Sequence, residues 1–462
     1  MRKGGFSVKR SNGSMLQGPL LKNIILYTIP IILTSWLQLL FNAADLVIVG
    51  QFDGSNCLAA VGATGAITNL IINLFIGLSV GAGVTVAHGL GSGDHVAVHR
   101  TVHTAIPAAI VSGIFLTVVG VLCSRTFLVW MDTPTENNVL DLATLYMQIY
   151  FGGMVFNMVY NFAASMLRAA GDTKSPLIFL AIAGVVNVGL NIIFVRVLYM
   201  NVAGVALATV ISQAVSAVLV VITLMRRTDA CKLELKKMRF YGPQLGKMIR
   251  IGLPAGVQGS MFSISNVMIQ SSINSFGDVV MSGNTAAANL EGFVFTAMNA
   301  LHQTAVNFTG QNVGARQYDR VKKILWTCLG CVAVTGAVLG GALYLFGPQL
   351  LGVYITDSQQ AIEYGVIRLG YICAVYFICG LMDVSTGALR GMGSSFGPMI
   401  ISVLGVCGIR LLWLSTVFQT YHTTECLYLS YGVSWTITFI AQFAAFWILY
   451  RKQTRMLCRS DS

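Results

Sequence analysis

Three carboxylates fall inside long apolar runs of this 462-residue chain: Asp45, Glu291 and Asp383. A carboxylate at membrane depth costs at least ~2.5 kcal/mol, so it persists where it meets a cavity, a partner or a transported ion. Gln38, Phe41 and Asn42 precede Asp45 by seven, four and three residues and share its helical face, giving a greasy helix one polar stripe. Asn161, Asn187, Asn191 and Thr209 add further polar groups at depth, and Asn187 and Asn191, four apart, point the same way. One carboxylate, two amide carbonyls and a hydroxyl form an oxygen set for a hard monovalent cation. Alternatively, the carboxylate takes a proton and the amides stabilise either form. Phe41 offers an aromatic face to an organic cation. Arg410 also lies at depth and needs a counter-charge, for which Asp383 or Glu291 is the expected buried partner, at even odds with a transport role for those acids. His302 is read as a hydrogen-bonded structural histidine.

Other chemistry-bearing patterns are weaker. His95, His99 and His103 align along one face, but only Asp94 stands beside them to complete a metal site. Cys328 and Cys331 have CxxC spacing inside an apolar helix, where packing is the expected role. Gly89 to Gly93 lacks the strand and the Lys-Ser/Thr ending of a phosphate loop. With no ATPase motif, energy must come from an ion gradient.

The elements that position these residues follow from composition. The chain is 55% hydrophobic and 10% charged, against about 25% charged for a soluble domain, so it is expected to be an all-α polytopic membrane protein. Six runs of spanning length lie between about residues 24 and 225, and six more between about 247 and 450. All but four of the 29 Lys and Arg fall on one side of the resulting zigzag, while Asp53, Asp132, Glu136, Asp141, Asp278, Asp357, Glu363 and Glu425 mark the other. The positive-inside rule then puts both termini in the cytoplasm, and the net charge of +12 is topology rather than nucleic-acid binding.

A basic connector at 226–250 separates an N-lobe, 1–225, from a C-lobe, 251–462. The halves repeat one theme. Arg168 and Pro176 recur as Arg390 and Pro398 at an offset of 222, and Pro30 and Asn42 recur as Pro254 and Asn266 at an offset of 224. Six helices per repeat make these parallel repeats, related by a pseudo-two-fold axis along the membrane normal.

The motifs Leu40-Phe41-Asn42-Ala43-Ala44-Asp45, Gly77-Leu78-Ser79-Val80-Gly81-Ala82-Gly83, Gly252-Leu253-Pro254 and Gly310-Gln311-Asn312-Val313-Gly314 follow in order along the chain. In this order and spacing the sequence resembles the MATE (multidrug and toxic compound extrusion) family from about residue 16 to 450. The resemblance implies antiport of organic cations or amphipathic compounds against protons or sodium ions by alternating access, with no cofactor, in a plasma membrane and as a monomer. It carries the N-lobe cation site over to Asp45, Asn187, Asn191 and Thr209, with Gln38, Phe41 and Asn161 in the substrate cavity. Many members have Asp where this chain has Asn191, and the acid on helix 7 of one subgroup is missing, which leaves Glu291, Asp383 and Arg410 as secondary candidates. A lipid or lipid-linked precursor flippase of the same superfamily is the alternative. It would require a wide cationic cavity, and the basics at depth reduce to Arg410, with Arg196 and Arg368 nearer helix ends. A membrane enzyme has no triad or HExxH motif to support it.

Overall fold

The computed structural model describes residues 15–52, 54–131, 138–355 and 358–460, and these are almost wholly helical. The first half comprises α1 (Leu20–Phe52), α2 (Gly54–Ser92), α3 (His95–Trp130), α4 (Val139–Gly152), α5 (Met154–Ala169), α6 (Lys174–Asn191) and α7 (Asn201–Arg226). The second comprises α8 (Gly242–Asn274), α9 (Asp278–Gly314), α10 (Tyr318–Leu345), α11 (Gly347–Tyr354), α12 (Gln359–Gly391), α13 (Phe396–Ser402), α14 (Ile409–Ser415), α15 (Val417–Thr420) and α16 (Thr424–Ser460). The basic residues Arg2, Lys3, Lys9 and Arg10 and the acids Asp53, Asp132, Glu136 and Asp357 lie outside the described residues.

Among the described residues nine helices are long and apolar enough to cross a membrane, and a tenth span arises if α4 and α5, bent by 48°, count as one. Two helices of sufficient length, α8 with 33 residues and α9 with 37, fall outside that set. Their polarity explains it. Asn284, Glu291, His302, Thr304, Asn307, Gln311 and Asn312 of α9 are all buried, so its polar groups meet other helices rather than lipid and hydrogen bonding offsets their cost.

The apolar interior forms two large clusters. One runs from Ala60 to Met248; the other takes in Ile269 to Phe446 together with Met15, Ile24, Tyr27 and Ile31. Thus α1 begins in the core of the second half. Its far end, at Val49, packs with Val195, Val202 and Val205 of the first. The halves also meet where α2 crosses α8: a Cβ on Gly77 would fall on the backbone of Gly256, so the two helices touch main chain to main chain. Near the connector they are tied by Gln311 Nε2 donating to the Ala169 carbonyl at 2.7 Å and by the His88 ring at 2.6 Å from the Gly391 carbonyl.

The connector differs from expectation at its end, since Gly242-Pro243 starts α8 within the stretch read as connector. Proline is preorganised for a helix start, where its missing N–H costs nothing. Arg168 and Arg390, counted as loop charges, instead turn inward. Arg390 is buried, and Arg168 Nη1 donates to Gln303 Oε1 at 2.9 Å.

Candidate functional site

Four of the residues singled out in the first half form one hydrogen-bonded chain. Asn191 Nδ2 donates to Asp45 Oδ1 at 2.5 Å and lies 3.2 Å from Asn187 Oδ1, while Asn187 Nδ2 donates to Thr209 Oγ1 at 3.4 Å. Thr209 in turn donates to the Val205 carbonyl at 3.0 Å. The chain thus joins α1, α6 and α7. Asn191 is fully buried and Asn187 nearly so. Asn191 Oδ1 has no hydrogen-bond partner, an acceptor oxygen left open beside a carboxylate. Directly after Asn191 the helix loosens into a π turn, Ile192–Val197, a distortion that recurs at functional sites.

The cavity residues behave less uniformly. The Phe41 ring lies against Gly184 of α6, where any side chain at 184 would collide with it, so Phe41 fixes α1 to α6. Asn161 Nδ2 donates to Asn157 Oδ1 at 2.9 Å within α5, outside the Asp45 chain. Gln38 is exposed, two turns before Asp45. Tyr146 and Tyr150, four apart on α4 with rings stacked 6.1 Å apart, lie within electrostatic reach of Asp45. Sequence reasoning missed them, although their spacing puts two phenols on one face.

In the second half the expected pairing of Arg410 is corrected. Glu291 is held by Arg368: Nε donates to Oε1 at 2.9 Å and Nη2 to Oε2 at 2.7 Å, with both residues buried. Arg368 Nη1 also donates to Asn284 Oδ1 at 2.6 Å. This fork saturates the carboxylate. Arg368, expected nearer a helix end, lies nine residues into α12, far enough to face α9. Asp383 sits in the field of Arg390, whose Nη2 donates to Gln258 Oε1 at 2.8 Å and whose Nη1 lies 3.3 Å from His302 Nε2. His302 Nδ1, 2.6 Å from the Asp383 carbonyl, donates to it, which leaves Nε2 as the acceptor for Arg390. His302 is therefore structural, as read. Arg410 makes none of the described ion pairs; it donates to Ser434 Oγ at 3.2 Å and lies over the Tyr431 ring at 4.1 Å.

The model of the MatE family matches residues 30–193 and 254–414, well over half of the chain and both halves of it. The chain belongs to the MATE family. The probable multidrug resistance protein YpnP of Bacillus subtilis is 27% identical over 435 residues, covering 92% of this chain and 95% of that protein. The multidrug export protein MepA of Staphylococcus aureus is 22% identical over 448 residues, covering 95% and 96%. Among solved structures, a MATE protein in the bent conformation aligns with a TM-score of 0.88 at 18% identity, over 96% of this chain and 99% of that one. An outward-facing multidrug resistance MATE transporter of the MOP superfamily aligns equally well, at the same identity and coverage.

As a MATE protein the chain is a polytopic membrane transporter and not an enzyme, and its membership makes it a secondary active transporter of amphipathic compounds. The remaining patterns fit a structural role within that frame. His103, stacked on His99 with centroids 4.0 Å apart, donates from Nδ1 to the His99 carbonyl and accepts at Nε2 from the Glu234 backbone N–H, so both ring nitrogens serve the backbone. No group of three metal-ligating residues forms among the described residues. The start of the connector, ahead of Glu234, is anchored by Arg227 and Asp229, with Arg227 Nε donating to Asp229 Oδ1 at 2.9 Å. Desolvation works to raise Asp229, yet hydrogen bonds and charge from Arg227 outweigh it and hold the carboxyl below its usual range. Burial pushes the neighbouring Cys231 thiol up to about 12.

Proposed function

We propose that this chain is an antiporter that exports organic cations and related amphipathic compounds in exchange for a proton or a sodium ion, with Asp45 as the coupling group. The observation that carries this reading is the Asp45–Asn191–Asn187–Thr209 chain, together with the open Oδ1 of Asn191. A carboxylate with an unpaired acceptor beside it suits a cation better than a structural ion pair does. Twelve spans in two six-helix lobes, 1–225 and 251–462 about the 226–250 connector, house the cycle in a single copy of the chain, and both termini are placed in the cytoplasm by the basic residues of that connector. When Asp45 accepts a proton or cation, the Asn191 amide is free to turn its oxygen toward it. That local change in pairing is what biases one lobe against the other. The flippase alternative is weaker, because Arg368 and Arg390 are each tied to a partner of their own, Glu291 and Gln258.

Proteoliposomes loaded with a panel of organic cations and given proton and sodium gradients separately test the reading. Export driven by one gradient and absent without either supports it; transport indifferent to both overturns it. Asn191→Asp adds a second acid to the set and is expected to raise cation affinity or move the pH optimum upward while transport continues. An unchanged pH profile and unchanged sodium dependence would remove residue 191 from the site. Orientation is tested by an impermeant maleimide in intact cells and inside-out vesicles. The exposed Cys458 on α16 should label only in the vesicles. Cys231, buried in the first-half core with its thiol held protonated, should stay unlabelled from either side until Asp229→Ala loosens the connector.

A further inference from the structure

The two halves carry opposite charges at depth, on neighbouring but not matching positions of the repeat. The offset of 222 that relates Arg168 to Arg390 carries Thr209 to Tyr431, Ser212 to Ser434, Gln213 to Trp435 and Val188 to Arg410; the offset of 224 on the first helices carries Asn42 to Asn266 and Asp45 to Ile269. The first half thus has a half-buried acid at its site, where the second has a buried guanidinium. Each site lies beside a π turn, Ile192–Val197 following Asn191 and Val403–Gly408 preceding Arg410.

Arg410 is only 4% exposed, and among the described residues no acid forms an ion pair with it. Both oxygens of Glu291 are taken by Arg368, and Asp383 lies in the field of Arg390. Arg368 adds repulsion, since its guanidinium lies 5.8 Å from the same Tyr431 ring that Arg410 covers at 4.1 Å. The neutral partners of Arg410 are Ser434 and, at 3.5 Å from Nη1, Asn266 Oδ1. Asn266 leads to open space. It is exposed and shares a face of α8 with Gly259 and Ser263, which meet Asn73 of α2 in the other half, so it lies one turn beyond that contact on the face toward the other half.

We propose that Arg410, with Tyr431 and Trp435 as an aromatic wall, is an anion subsite that takes the carboxylate of an aromatic amphipathic compound entering past Asn266. A buried guanidinium without an acid gains most from a ligand that brings one, and Tyr431 and Trp435, both buried in this structure, part to admit the ring of the same molecule. Only the inference that the bound compound is cargo rests on the transport reading above. Compounds carrying both charges would then engage both halves, their cationic end toward Asp45 and their carboxylate at Arg410.

Equilibrium dialysis of 2-naphthoate and its uncharged analogue 2-naphthamide against the purified full-length protein in detergent tests the subsite without any gradient, so its failure and the failure of the antiport reading are separate results. Naphthoate is expected to bind roughly tenfold or more tightly than naphthamide, the contribution of a charge-assisted hydrogen bond. Arg410→Met should abolish that preference. Asn266→Asp, which supplies the missing carboxylate from an exposed position, should abolish it as well while naphthamide binding stays within about twofold, and it covers the case in which Arg410→Met does not fold. Equal affinity for the two compounds in the wild type, or a naphthoate preference that survives Asn266→Asp, overturns the proposal.

Discussion

Asp45→Asn is expected to insert, fold and bind the Asn191 amide, yet to lose gradient-driven export. An amide is cheaper than a carboxylate at membrane depth, and the substituted side chain can still accept from Asn191 Nδ2 through its own carbonyl. What it cannot do is take up and release a proton, or give a cation a full negative charge. A one-unit pH gradient stores about 1.4 kcal/mol per proton, enough for a carrier that exchanges one proton for one substrate molecule to hold roughly a tenfold substrate gradient. The variant should hold none. Substrate accumulation in reconstituted vesicles under an imposed gradient measures this directly. Full accumulation by a well-folded Asp45→Asn would remove Asp45 from the coupling step and with it the core of the proposed mechanism.

Asp45 could be found in the sequence because a lone carboxylate in an apolar run has a cost that composition alone reveals. Asn187 and Asn191 were legible for a different reason, their four-residue spacing, which fixes a shared helical face before any neighbour is known. Contacts between distant helices leave no such mark. Arg410 is expected to pair with Asp383, whose helix adjoins its own in sequence, or with Glu291, whereas the buried pair joins Glu291 of α9 to Arg368 of α12. Arg390 read as a loop charge because Gly391-Met392-Gly393 follows it, and Gly393 does turn the chain with φ +83°. Nothing in that motif shows that the side chain points back to Gln258. The polarity of α8 and α9 was visible residue by residue, but its meaning depends on burial: an Asn or Gln facing another helix is compatible with an interior span, and the same residue facing lipid is not.

The largest stability effect is expected at the Glu291–Arg368 pair. Arg368→Met should cost about 3 to 5 kcal/mol, because it strands the buried Glu291 carboxylate and breaks the bond to Asn284 at the same stroke. Adding Glu291→Gln to that variant should restore much of the loss, since a neutral amide beside an apolar side chain leaves no unpaired charge. Arg410→Met sets the contrast. It strands no acid, so the apolar replacement should be close to neutral, although Arg410 is as buried as Arg368. Thermal unfolding of the two single variants and the double variant in detergent separates these cases, with the yield of folded protein as a second readout. If Arg410→Met destabilises as much as Arg368→Met, and Glu291→Gln rescues the former, the fork between α9 and α12 is not the pair that holds this half together. The carboxylate preference assigned to Arg410 would then lose its basis, because that guanidinium would already have its acid.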